Sequence, residues 1–206
     1  FCDAALGTET RGSLMIPGFR NGVYSFKPTR GFVSRNGIVP LSSSFDAPGV
    51  LARNPALLKE VFLSMIGVDP ADDQSFELRS KESKPSRKRI IICVSRSLGE
   101  MGLLQTKLRS FFTQLKLNGL EFFFIDLPEI TFDYKTISST DIRSDMTKFL
   151  QRYGYDKEPG SFEELVERYR ERPHAHFYGM ERLEEALVMP QISKSVLKKL
   201  VNENVA

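Results

Sequence analysis

The sequence predicts an α/β fold, and three features support that class. Two apolar runs of strand length, at 90–94 and 121–128, flank a helical pattern, which is the order of a β-α-β unit. The last third of the chain carries amphipathic helical patterns. Residues 1–54 carry short strand-like runs separated by glycine, proline and serine. We therefore expect a sheet flanked by helices, with a parallel pair of strands inside it.

The composition is that of a globular chain with a sizeable core. Of its 206 residues, 41% are hydrophobic and 27% are charged. The net charge of +3 includes a basic cluster at 79–89, but no aromatic residues interleave with it, so a solvated linker is favoured over nucleic-acid binding. No apolar stretch reaches the roughly 18 residues of a membrane span. Two cysteines, Cys2 and Cys93, cannot build a disulfide framework, so we expect a cytoplasmic setting.

The first segment, residues 1–68, is expected to hold loops, short strands and a helix, with loops dominating residues 1–54. Residues 23–26 alternate like a strand, and Asn36-Gly37 predicts a tight turn. Asn54 predicts the cap of a helix that begins at Pro55 and ends at Gly67. Its inward face is expected to hold Leu57, Leu58, Val61 and Met65.

The rest of the chain divides into three segments. Residues 69–89 predict a basic surface linker, 90–128 the β-α-β unit, and 129–206 a helical segment. Ser161 to Glu164 form a capping box that opens one helix. Further helices are predicted at 103–117, 141–153, 180–189 and 192–205.

One short run, from Gly7 to Pro17, contains a candidate for chemistry. Ser13 follows small residues and precedes an apolar pair and a proline, which predicts a tight turn leading out of a loop. Such a turn presents a hydroxyl beside free backbone N–H groups, as a nucleophile with an oxyanion hole requires. Gly-x-Ser turns are common and most are only turns, so the spacing alone is a weak signal.

The stretch from Ala5 to Arg53 resembles the amidase signature family. The segments ALGTETRGSLMIPG and GVYSFKPTRGFVSRNGIVPLSSSFDAPGVLAR correspond, without gaps, to that family's GTDTGGS-like loop, its Lys-Pro-Thr turn and its Ser-x-Asp tail. The resemblance implies a mixed sheet flanked by helices, with the chain covering only part of the family domain. It also implies hydrolysis of an amide C–N bond in a small-molecule substrate, through an acyl-enzyme and without a metal or organic cofactor.

The resemblance also assigns roles to residues of the loop. The family's nucleophile corresponds to Ser13, and its partners are a cis-serine and a lysine that both lie upstream. The residues before Ser13 supply neither, so we expect this chain to be a fragment that is inactive alone. The backbone N–H groups of Thr10, Arg11, Gly12 and Ser13 correspond to the oxyanion hole, and Thr8 and Glu9 to supporting positions.

Two departures from the family pattern keep other functions open. Arg11 stands where the family usually has glycine, and an arginine lacks the freedom of glycine to adopt a positive φ. Met15 stands in place of the family's arginine, which supports the acidic residue that corresponds to Glu9. Arg11 is expected either to pair with Glu9 or to point to solvent. The departures favour a non-catalytic binding protein as an alternative. An amidotransferase A-type subunit, which acts on aminoacyl-tRNA with a partner chain, is a further alternative.

The remaining polar residues predict structure more than chemistry. Lys27 is expected to be structural, and Asp46 with Arg53 to form a polar lock that holds the following loop. His174 and His176 predict surface histidines, since no further metal ligands lie at suitable spacing. The glutamates of the last third follow helical spacing beside arginines and predict solvated helix faces. An exposed sheet edge or core face would favour a homo-oligomer.

Overall fold

The computed structural model describes most of the chain, in two compact units. One unit comprises Phe1–Arg79 and Phe132–Ala206, and the other Ser80–Thr131. The described residues are 2–77, 91–95, 110–114, 121–125, 133–154, 156, 158–172 and 179–203.

The larger unit contains a three-stranded antiparallel sheet. Its strands are β1 (Ala4–Glu9), β2 (Tyr24–Phe26) and β3 (Ala47–Ala52), with β3 in the centre. The sequence predicts β2, but it predicts loop where β1 and β3 lie. Both strands are rich in alanine and glycine, which have low strand propensity, and pairing along their whole length decides the conformation instead. Pro48 is tolerated in the central strand because β2 pairs only with its far end.

Two helices pack against this sheet. Helix α1 (Met15–Asn21) is not expected from its Pro17 and Gly18, but proline in the first turn costs no hydrogen bond. Helix α2 (Pro55–Met65) begins where the sequence predicts, with the Asn54 side chain accepting a hydrogen bond from the Leu57 N–H at 2.8 Å. The face expected to be inward is only half-buried, since α2 has no fully buried residue.

Residues 69–77 are not the surface linker that their composition predicts. Asp72 is buried and forms an ion pair of 2.7 Å with Arg35, and the Phe76 N–H donates to the Gly31 carbonyl. Burial opposes ionisation of Asp72, but the hydrogen bonds and charge of Arg35 prevail and lower its pKa to about 2. This part of the segment is therefore fastened to the loop before β3. The expected linker residues 78–89 lie outside the described residues.

In the described part of the larger unit, four further helices follow: α3 (Tyr134–Tyr153), α4 (Phe162–Arg170), α5 (Met180–Val188) and α6 (Lys194–Glu203). Helix α3 begins at Tyr134 and not at the predicted residue 141, because the Asp133 side chain caps it by accepting from the Thr136 N–H. Ser161 caps α4, as the capping box predicts. The core between these helices is built by Ile142, Phe162, Val166 and Ala186.

The smaller unit confirms the predicted β-α-β arrangement. Strands β4 (Ile91–Ser95) and β5 (Glu121–Ile125) pair in parallel, with Ile91 opposite Glu121. Residues 110–114, between them in the chain, are helical. The remainder of the helix predicted at 103–117 lies outside the described residues. The α/β class is thus confirmed, with the described strands forming one antiparallel and one parallel sheet.

Candidate functional site

Ser13 lies in the turn that connects β1 to α1, and it is exposed. Gly12 gives this turn its shape, with a φ of 94° and a carbonyl that accepts from the Ile16 N–H at 2.8 Å. Arg11 is not in the left-handed region, since Asp156 is the one non-glycine residue with positive φ in the described part of the chain. Arginine at this position therefore costs no backbone strain, contrary to the expectation from the family pattern.

Leu14 anchors the chain directly after Ser13. It is 1% exposed and packs over Gly7 and Gly49, which face each other in the β1–β3 pair. A methyl group added at Gly7 would lie 2.8 Å from Leu14 Cδ2, and one at Gly49 would lie 2.5 Å from Leu14 Cδ1. The two glycines therefore form a shallow seat on the sheet, and Leu14 fills it. This contact fixes the position of the turn relative to β1 and β3.

Glu9 also holds the side of the turn that leads into α1. Its buried carboxylate accepts from the backbone N–H groups of Leu14 at 2.8 Å and Met15 at 2.9 Å. Burial opposes ionisation, but these bonds, the N–H of Gly12 and the charge of Lys27 together lower the pKa of Glu9 below its ordinary value. The carboxylate thus replaces the missing intrahelical partners at the start of α1.

Thr10 secures the other side of the turn. Its hydroxyl donates to Asp46 Oδ1 at 2.5 Å, and its carbonyl accepts from Lys27 Nζ at 2.9 Å. The second oxygen of Asp46 accepts from the N–H groups of Leu41 and Ser42, each at 2.8 Å. Asp46 and Lys27 therefore hold the turn against the loop that precedes β3, and the contacts of Lys27 are structural.

Arg53 takes no part in the lock predicted for it with Asp46. Its side chain is exposed and forms no hydrogen bond or ion pair with any described residue. Only its backbone participates, through an N–H that donates to the Asp3 carbonyl at 3.4 Å. Asp46 is bonded instead to Thr10, which directly follows the end of β1.

Arg11 neither pairs with Glu9 nor simply points to solvent. Its guanidinium carbon lies 5.1 Å from the centre of the Tyr134 ring, within the range of a cation–π contact. The backbone N–H groups of Arg11 and Ser13 have no hydrogen-bond acceptor among the described residues. Two donors on the turn are therefore available for an external oxygen atom, while the Gly12 N–H is directed toward Glu9. Thr8 is exposed on β1, opposite Pro48.

A second set of contacts fixes residues 42–44, in the loop that precedes β3, to helix α3. Ser42 is buried and donates its hydroxyl to Asp141 at 2.5 Å, and the Ser44 N–H donates to the same carboxylate at 3.0 Å. The Ser43 N–H donates to Asp145 at 2.8 Å, and burial raises the pKa of that carboxyl. Sequence reasoning missed both acids. A signal was present, because they stand four residues apart on the side of α3 that also carries Ile142 and Met146.

A comparison with models of known protein families identifies the family of this chain. The family model described as Amidase matches residues 1–202. The chain belongs to the amidase family. The resemblance carried by residues 5–53 is thereby confirmed.

Curated relatives of this amidase-family chain include two kinds of protein. The A-type subunit of glutamyl-tRNA(Gln) amidotransferase from Rickettsia bellii is 33% identical over 178 residues, which are 80% of this chain and 36% of that protein. A putative amidase of Schizosaccharomyces pombe is 48% identical over 68 residues, 33% of this chain and 12% of that protein. The chain thus spans about a third of the length of the first of these relatives.

Solved structures of amidases have the same fold. The peptide amidase from Stenotrophomonas maltophilia matches with a TM-score of 0.82 at 23% identity, over 98% of this chain and 44% of that one. The structure called PAM12A matches with a TM-score of 0.79 at 25% identity, over 98% and 44% respectively.

Other kinds of site find no support in the described part of this amidase-family chain. No group of three or more metal-ligating side chains comes together among the described residues. The His174 and His176 pair lies outside them, and so does the side chain of Cys93. Of the helices with described residues, none has the length and apolar character needed to cross a membrane.

Proposed function

We propose that this chain carries the nucleophile turn of an amidase, with Ser13 as the attacking group. One observation carries the proposal: Ser13 is exposed at a turn that is anchored on both sides and leaves backbone donors unused. Glu9 and Leu14 anchor the side that leads into α1, and Thr10 anchors the other. Such pre-positioning of nucleophile and donors is what acyl transfer requires.

The chemistry follows from these positions. The Ser13 hydroxyl attacks the amide carbon while a base removes its proton. The carbonyl oxygen becomes an oxyanion, which the N–H groups of Arg11 and Ser13 stabilise. Collapse of the tetrahedral intermediate breaks the C–N bond as the leaving amine takes up a proton. Water then hydrolyses the acyl-enzyme, and Ser13 regains its proton.

The base is the part that the described residues do not supply. Lys27 is unsuited because its ammonium group donates to the Thr10 carbonyl and lies 3.9 Å from the Glu9 carboxylate. We propose that a lysine and a cis-serine outside these residues complete the site, in keeping with the much greater length of the relatives. We further propose a cytoplasmic setting and a small-molecule amide substrate; the exposed free thiol of Cys2 supports a reducing environment.

A fluorophosphonate probe tests the nucleophile directly. It should label Ser13 in the longer protein that contains this sequence, and Ser13→Ala should abolish the labelling. Ser64→Ala is the matched control, since Ser64 is also exposed and lies away from the turn, on α2. Absence of labelling in the longer protein would refute the proposal and favour the non-catalytic binding protein.

A second candidate function is that of an amidotransferase component. The observation favouring it is the 33% identity to the A-type subunit of glutamyl-tRNA(Gln) amidotransferase over 80% of this chain. In that case amide hydrolysis would deliver ammonia to aminoacyl-tRNA bound by a partner chain. Amide turnover that rises severalfold when charged tRNA and the partner chain are added would select this function over that of a stand-alone amidase.

A further inference from the structure

A small cleft is lined by one residue of the turn that carries Ser13, namely Arg11. Its volume is about 270 Å³, and it is lined by Arg11, by the first part of α3 and by α5. Its floor is apolar, because Leu41, Ile142 and Ala186 contribute to it. Since Arg11 and Ser13 are two residues apart, their Cα atoms are separated by at most about 7 Å. Arg11 therefore connects the cleft to the turn, although Ser13 itself does not line it.

The charges around this cleft are unevenly paired. Lys135 forms an ion pair with Glu185, with 3.1 Å between Nζ and Oε1. Arg11 and Arg182 have no carboxylate partner among the described residues. The Lys135–Glu185 pair neutralises itself, so the two guanidinium groups leave the cleft with an excess of positive charge.

The contact with Tyr134 leaves the hydrogen-bond donors of Arg11 for an anion. The guanidinium carbon lies 5.1 Å from the centre of the ring, and a cation–π contact uses the charge of the group and not its N–H donors. A guanidinium group presents those donors in a planar fork, which matches the two oxygens of a carboxylate. A carboxylate held there would lie close to the turn and above an apolar floor.

We propose that this cleft binds a carboxylate group of the amide substrate through Arg11 and Arg182. The inference rests on the proposed function, because it takes the scissile amide to lie at Ser13. The substrate would then carry its amide and its carboxylate at the two ends of a short apolar linker, which packs on Leu41, Ile142 and Ala186. The carboxylate belongs either to the acyl part or to the leaving amine.

Binding is tested on this chain without any turnover. Glutarate is titrated while the side-chain N–H resonances of arginine are followed by NMR, with uncharged glutaramide as the comparison. We expect glutarate to shift the signals of Arg11 and Arg182, less so at high salt, and glutaramide to leave them in place. The double variant Arg11→Gln, Arg182→Gln should lose the binding. Arg53→Gln, which removes an exposed arginine that has no side-chain partner among the described residues, should retain it.

The substrate class is tested on the form of the protein that the fluorophosphonate probe labels. Glutaramic acid carries its carboxylate on the acyl part, N-acetyl-β-alanine carries it on the leaving amine, and glutaramide is neutral. One of the two acids should exceed glutaramide in kcat/KM by about tenfold, mainly through KM, as expected for one charge-assisted contact. Whichever acid prevails identifies the part of the substrate that occupies the cleft. The preference should collapse in the double variant and persist in Arg53→Gln.

The outcomes separate this inference from the proposed function. Labelling of Ser13 without glutarate binding, or with equal kcat/KM for acids and diamide, would overturn the carboxylate site and leave the nucleophile intact. Glutarate binding without any labelling would overturn the nucleophile, and with it the role of the cleft in a substrate site. Glutarate binding that survives in the double variant would also overturn the assignment to Arg11 and Arg182.

Discussion

At the residue scale, the turn around Ser13 depends on one buried carboxylate. Glu9 is 5% exposed and accepts two backbone N–H groups that would otherwise lack partners at the start of α1. We predict that Glu9→Gln lowers the free energy of unfolding by about 1–3 kcal/mol, because neutral amide acceptors make weaker bonds than a carboxylate. Chemical denaturation followed by circular dichroism measures the change. Glu60→Gln, an exposed glutamate of α2, is the control and should stay within about 0.5 kcal/mol of the parent.

A comparison of the parent chain with Glu9→Gln also tests how the charge of Glu9 makes the free energy of unfolding depend on pH. The pKa of Glu9 in the folded chain lies below its ordinary value of 4.5, so ionised Glu9 stabilises the fold at pH values above that value. Its contribution is lost as the pH falls through the lowered pKa. The difference in stability between parent and Glu9→Gln should therefore be constant near neutral pH and shrink below pH 4.5. A difference that stays constant at low pH would contradict a role for the charge.

Some roles at this scale were readable from the sequence and others were not. Glu9 was expected to support the loop, because it stands at a defined place in a known pattern. The position of Arg11 was not, because Tyr134 lies far away in the chain and only the folded structure brings the two together. The same holds for Asp46, whose partner proved to be Thr10 and not the nearby Arg53.

At the element scale, the close approach of Leu14 to the sheet makes glycine essential in β3. A methyl group at Gly49 would lie 2.3 Å from the Phe26 carbonyl oxygen and 2.5 Å from Leu14 Cδ1. We predict that Gly49→Ala destabilises the chain by about 1–3 kcal/mol, since neither the backbone of β2 nor the seated leucine can yield without loss. Gly67→Ala is the control, as nothing lies within 4 Å of the added methyl group. Thermal unfolding that is equally affected by both substitutions would refute this account.

The strands show why local sequence patterns identified only some of the elements. Strands β4 and β5 are apolar runs whose composition already favours a parallel pair, and parallel pairing is found. Strands β1 and β3 contain Gly7, Pro48 and Gly49, residues that ordinarily mark turns. They form strands because each pairs with the other, and the glycines make room for Leu14. Tertiary contact overrides propensity at these positions.

At the scale of the whole molecule, family membership and activity are separate matters. The sequence pattern of the first segment sufficed to identify the amidase family, because the family's motifs are runs of particular residue types at fixed spacing. It could not indicate the proposed carboxylate site, because the cleft at Arg11 is assembled from α3, α5 and the loop at Leu41, which are distant in the chain. The spacing of motifs does not encode such an arrangement.

The chain acting alone is expected to be inactive towards amides. Ser13 requires a base, and the described residues give it none, since Lys27 is engaged by Thr10 and Glu9. We therefore expect the purified chain, residues 1–206, to show no amide hydrolysis above the rate of its own Ser13→Ala variant. Release of ammonia from simple primary amides, followed over hours at neutral pH, measures this. Steady turnover that disappears in Ser13→Ala and persists in Ser64→Ala would mean that a base within this chain reaches Ser13. An activity that survives both Ser13→Ala and a second purification step would mean that another group of the chain attacks the amide, and it would refute Ser13 as the nucleophile.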